Sequence, residues 1–141
     1  MRYLIVVIST LLVFLLLSST CRGDSLSINA SVADRSVPSY GIDLEKNFGI
    51  GYLDLQNMVT SDRLSSTTTL AVGLELYNIN GGILAGYNVQ GSQVSPLVGL
   101  ELGFTAPITK VLFLKENNQV TKQFGGDTII GAITLGLGIE L

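Results

Sequence analysis

Five acidic residues are the side chains whose placement suggests chemistry: Asp43, Glu45, Glu75, Glu101 and Glu140. Each falls opposite a local apolar stripe when its segment is read with a period of two. Two carboxylates can divide acid and base work between them, but no spacing singles out one pair. Nucleophilic schemes that depend on His or Cys are excluded by composition. The chain has no His, and its one Cys, Cys21, sits in an N-terminal leader. Ser-His-Asp, Cys-His and His/Cys zinc arrangements therefore cannot be assembled. The glycines do not stand in phosphate-loop order with Lys and Ser or Thr. No pattern calls for a metal or a cofactor, and the expected role is non-enzymatic. Acids gathered in a narrow interior cannot all stay ionised without partners; few strand cations are available to pair with them, and Lys110 is one candidate. They offer either a cation-attracting lining or a set of hydrogen-bonded structural groups.

Strands must position these acids. In residues 128–141, Ile133, Leu135, Leu137, Ile139 and Leu141 alternate with Thr134, Gly136, Gly138 and Glu140. That gives one apolar face and one small or polar face. The same alternation marks residues 25–33, 40–45, 48–56, 67–77, 82–90, 95–105 and 108–115, about eight strands in all. The phase slips at Tyr52-Leu53, which predicts a β-bulge. Residues 108–115 are apolar on both faces through Val111–Leu114, so their faces stay unassigned. Short connections at 46–47, 78–81 and 106–107 alternate with longer ones at 34–39, Asn57–Ser66 and Glu116–Asp127, with 91–94 a short exception. An up-and-down barrel sorts its connections in this way, one set at each end. The last strand would pair with the first and leave no edge.

The first residues read differently. Met1-Arg2 is cationic, residues 4–17 are almost wholly apolar and residues 18–23 are small and polar. This is the build of a secretory signal peptide, and the apolar run is shorter than the roughly 20 residues of a spanning helix. The expected organisation is a signal peptide over residues 1–23 and one β-barrel domain over 24–141. Cys21 leaves with the leader; as a lipid attachment site it has a poor preceding sequence. Arg22-Gly23-Asp24 straddles the expected cleavage point, and Asn29-Ala30-Ser31 is a glycosylation sequon only in a eukaryotic secretory route. Eleven Asp and Glu against eight Lys and Arg disfavour nucleic acid, which requires a basic patch.

Alternation leaves open which face points inward. Only 13% of the chain is charged, against a usual quarter or so, and the faces opposite the apolar stripes are rich in Gly, Ala, Ser and Thr. Both observations favour lipid outside and a crowded narrow lumen inside. Phe48 and Phe104 would then stand at an interfacial girdle. On strand alternation, loop sorting and the leader, residues 24–141 resemble the small bacterial outer-membrane β-barrels of the OmpA/OmpX type. The resemblance implies an all-β, antiparallel up-and-down barrel of about eight strands. It implies a lipid bilayer as partner and the outer membrane as location. The expected role is structural, or surface interaction through Asn57–Ser66 and Glu116–Asp127, or a narrow cation-preferring pore. The alternative is a secreted or periplasmic soluble barrel holding a small apolar ligand. The sequence leaves the oligomeric state open. Gly138, facing a lumen, is expected to tolerate Ser.

Overall fold

The computed structural model describes residues 24–33, 37–76 and 78–141. The leader, Cys21 included, lies outside the described residues. The described residues form eight antiparallel strands: β1 (Ser25–Ala33), β2 (Ser39–Phe48), β3 (Gly51–Thr60), β4 (Ser65–Leu76), β5 (Ile79–Gln90), β6 (Gln93–Pro107), β7 (Leu112–Gln123) and β8 (Ile129–Glu140). Each pairs with its neighbour in sequence, and β8 pairs with β1 to close the barrel. Closure is in register from Ser25 opposite Glu140 to Ala33 opposite Ala132. Every central strand therefore has two partners, and no edge is left to associate with other chains.

The alternation in β1 shows how the sequence sets the orientation. Ser25, Ser27, Asn29 and Ser31 are buried in the lumen, whereas Leu26, Ile28 and Val32 are exposed outside. β8 repeats the pattern: Ile133, Leu135, Leu137 and Ile139 are exposed, and Thr134 is buried. A belt of Val72, Leu74, Ile83, Leu100 and Leu102 continues it around the outside. The distribution is the reverse of a soluble barrel, which puts its apolar face inward. Lipid is the solvent that makes it favourable, because burying apolar area away from water stabilises by about 25 cal/mol per Å². Phe48 stands exposed at the lower rim, beside the turns that share an end with Asp24 and Leu141. There the Leu141 N–H donates to the Asp24 carbonyl at 2.7 Å.

Several boundaries differ from the sequence reading. β2 runs to Phe48, so Lys46 and Asn47 are strand, and the turn is residues 49–50 with Gly49 at φ 77°. The phase slip at Tyr52-Leu53 is that turn, not a bulge, for β2 and β3 pair without interruption from Phe48–Gly51 to Ser39–Thr60. The two expected long loops are also mostly strand. Of Asn57–Ser66, only residues 61–64 connect β3 to β4. Of Glu116–Asp127, only residues from 124 onward lie outside β7. Both stretches are polar, and polarity reads as loop in a protein with a dry interior. Here a polar residue on a strand has a lumen to face. Residues 108–111, expected to be strand, form the turn before β7, with the Ile108 and Thr109 N–H groups donating to the Leu112 carbonyl. The sorting of connections is weak: the 91–92 turn at the upper end is shorter than 108–111 at the lower.

Candidate functional site in the barrel lumen

Lys115 is the centre of the lumen. It projects from β7 across the interior, and its Nζ donates to Asp43 Oδ2 at 2.9 Å, Glu45 Oε2 at 2.7 Å and Asp54 Oδ2 at 2.8 Å. Asp43 and Glu45 come from β2 and Asp54 from β3, so the ion pairs tie together strands that are not neighbours in the sheet. All four residues are buried. Three carboxylates share one ammonium, so ion pairing alone leaves excess negative charge in a poorly solvated interior. Such a cluster binds its members together firmly, because removing one partner strands the others.

A second network adjoins it. The Glu101 carboxylate on β6 accepts from the Tyr52 hydroxyl at 2.6 Å, Asn117 Nδ2 at 2.9 Å and Gln119 Nε2 at 3.2 Å. Gln119 Nε2 also reaches Gln56 Oε1 at 3.2 Å. Three donors satisfy this carboxylate without a cation. The Tyr52 ring lies against Ala71, Leu84 and Leu97, a small apolar layer inside the polar lumen. Its space comes from a cross-strand glycine pair. A Cβ on either Gly73 or Gly82 would stand 2.7 Å from the Tyr52 hydroxyl oxygen.

The plug divides the lumen. Below it lies a cavity of about 210 Å³ bordered by Glu45, Glu75, Glu140, Lys110 and Lys115. Above it lies one of about 420 Å³ bordered by hydroxyl and amide groups, among them Ser31, Thr67 and Asn88, and by apolar side chains, among them Val37, Met58 and Leu97. Asp62 stands at the upper rim in the 61–64 turn. The Thr60 hydroxyl and the Leu64 N–H donate to it and hold its carboxyl below the usual carboxylate range.

Of the five acids picked from the sequence, Asp43 and Glu45 share the Lys115 cluster, Glu101 forms its own network, and Glu75 and Glu140 border the lower cavity. Lys110, in the 108–111 turn, borders the lower cavity beside Glu75 and Glu140 but makes no ion pair among the described residues. The cation is Lys115, hidden from sequence reasoning because its segment was placed on a strand of unassigned phase. Asp54 was missed because the supposed bulge put its phase in doubt. One signal could have found both. With Gly49-Ile50 as the turn, Tyr52, Asp54 and Gln56 fall on the inner face, and with 108–111 as the turn, so do Lys115, Asn117 and Gln119. Among the described residues no group of His, Cys, Asp and Glu is arranged to hold a metal ion.

Comparison with known proteins places this geometry. No protein-family model matches the chain, and no curated protein matches it. Solved structures do. A de novo designed transmembrane β-barrel aligns over 87% of this chain and 98% of its own, with a TM-score of 0.59 and 8% identity. The N-terminal β-barrel domain of Pseudomonas aeruginosa OprF aligns over 86% of this chain and 100% of its own, at TM-score 0.56 and 16% identity. Neisserial surface protein A aligns over 84% of this chain and 96% of its own, at TM-score 0.53 and 12% identity. At these identities the likeness establishes a shared fold, the closed eight-stranded antiparallel barrel.

Proposed function

We propose that this chain is a small outer-membrane β-barrel protein with a structural, non-catalytic role and a lumen closed to free ion flow. The observation that carries the reading is the inverted distribution of polarity: an apolar belt outside and a cross-linked polar plug inside. A spanning structure must satisfy its backbone groups internally, which a closed barrel does. The expected signal peptide supplies the export route, and a barrel so built is stable only where lipid covers its belt. Similarity to a designed transmembrane barrel and to a Neisserial surface protein supports the same environment. The turns at 61–64 and 91–92 are tight, and of the fully described connections at that end 124–128 is the longest and is exposed throughout, so a scaffold role is the first reading, and recognition by a partner would run through that connection.

Separation of bacterial inner and outer membranes followed by a carbonate wash tests this reading. The protein should fractionate with the outer membrane and need detergent for release. Recovery in the wash would refute it. A second reading, the cation-preferring pore, rests on the acidic lower cavity with Glu45, Glu75 and Glu140. Planar-bilayer recordings separate the two: a silent baseline fits the closed lumen, and a steady cation-selective conductance would replace it with a pore.

A further inference from the structure

Among the described residues, the outer belt is interrupted by a carboxylate on β7, whereas polar outer positions such as Asn57 and Thr68 are neutral and hydrogen-bonded to each other at 2.8 Å. The registers of β6, β7 and β8 place Leu112, Leu114, Glu116, Asn118, Val120 and Lys122 on its outer face, alternating with the lumen residues Lys115, Asn117 and Gln119. Glu116 pairs across to Phe104 and Leu135, and Asn118 to Leu102 and Ile133, all apolar and exposed. Two apolar outer positions, Leu112 and Leu114, lie below Glu116, and Val120 lies above Asn118, so the pair is inside the belt. The other charged groups on the outer face of the described strands are Lys46, which is buried near the rim with its Nζ 5.9 Å from the Phe48 ring centroid, and Lys122, next to the upper end of β7. A long Lys side chain such as that of Lys122 reaches headgroups from its position. The Glu116 side chain is too short to do so. Its partner on its own chain is Asn118, whose Nδ2 donates to Glu116 Oε1 at 3.1 Å. Ionisable groups facing hydrocarbon are costly and are retained where a partner covers them.

We propose that the outer face of β7 is a lateral interface with a second copy of this chain, in which Glu116 and Asn118 of the two protomers hydrogen-bond across a two-fold axis normal to the membrane. The stripe is self-complementary. Asn118 carries both a donor and an acceptor, and Glu116 has a second oxygen beyond the one Asn118 engages. A two-fold contact requires that the same patch serve both sides. The neighbouring Gly131, opposite Val120 on β8, leaves open space where a side chain would otherwise hold the protomers apart, as small residues do at membrane-embedded interfaces. The inference rests on the membrane reading.

Disulfide cross-linking tests it. The full chain carries Cys21→Ser, so that the introduced thiol is the only one, and is reconstituted into phosphatidylcholine vesicles and oxidised. Val120→Cys should give a cross-linked dimer at least tenfold above an outer-face control on β5, Ile83→Cys. Adding Glu116→Leu and Asn118→Leu, both favourable in lipid, should return the yield to the control level, whereas Glu116→Gln should keep it. Equal yields from Val120→Cys and Ile83→Cys in protein that floats with the vesicles would overturn the interface alone. A cross-link in native membranes to a protein of a different mass would overturn the second copy as occupant. Protein that fails to float would overturn the membrane reading and the interface with it.

Discussion

Lys115→Met would leave Asp43, Glu45 and Asp54 buried without their shared cation. Breaking a buried ion pair from one side costs about 3–5 kcal/mol. Urea unfolding of the barrel in lipid should show a loss of that size, while Lys110→Met, in the exposed turn, should stay within about 0.5 kcal/mol. Equal losses would mean that Lys110 is the lumen cation after all. Tyr52→Phe is a gentler probe. It removes the hydroxyl that donates to Glu101 and should cost about 1–3 kcal/mol in the same measurement, the penalty for weakening a buried polar group's satisfaction. Gly138 reverses its sequence-based expectation. A Cβ there would meet the Phe113 ring and stand 2.9 Å from Ser27 Cβ, so Gly138→Ser should destabilise by about 1–3 kcal/mol through overpacking. An unchanged urea midpoint would show that the Phe113 ring moves aside.

At the scale of elements, the barrel's registers define depth. A row of paired residues runs from Ile79 at the lower rim through Phe104, Glu116, Leu135, Ala30 and Tyr40 to Val59 near the upper rim. Leu135 is its midpoint. Leu135→Arg should therefore cost about 2–4 kcal/mol in lipid-reconstituted protein, the value for a cation at mid-depth on a barrel's outer face. A neutral result would place Leu135 away from lipid. The same registers explain what the sequence could reveal. β1 and β8 were legible because their inner positions carry Ser, Thr and Gly and their outer ones Leu and Ile, so period two was unbroken. The same alternation puts Asp43, Glu45 and Glu101 in the buried interior, with Glu75 half-buried and Glu140 exposed at the lower mouth. β7 was illegible because polar residues occupy both of its faces: Lys115, Asn117 and Gln119 inside, Glu116 and Asn118 outside. No alternation survives such a pattern, and it reads as loop. That failure had a cost at the site, since Lys115, the cation at the centre of the acid cluster, lies there.

At the scale of the whole molecule, the account is of a barrel turned outward, with its apolar groups toward lipid and its charges locked across a narrow interior. Eight strands enclose a lumen that side chains can nearly fill, and here the Lys115 cluster, the Glu101 network and the Tyr52 layer occupy much of it. Stability is thereby split between the belt, which needs lipid, and the plug, which does not. The most direct measurement is of nuclear Overhauser contacts between detergent acyl chains and methyl groups of the folded protein. Leu100, Leu135 and Leu137 should show contacts with the acyl chains, and Ala71, Leu84 and Leu97 should show none. Acyl-chain contacts confined to the second set would mean that the barrel's inside and outside have been exchanged.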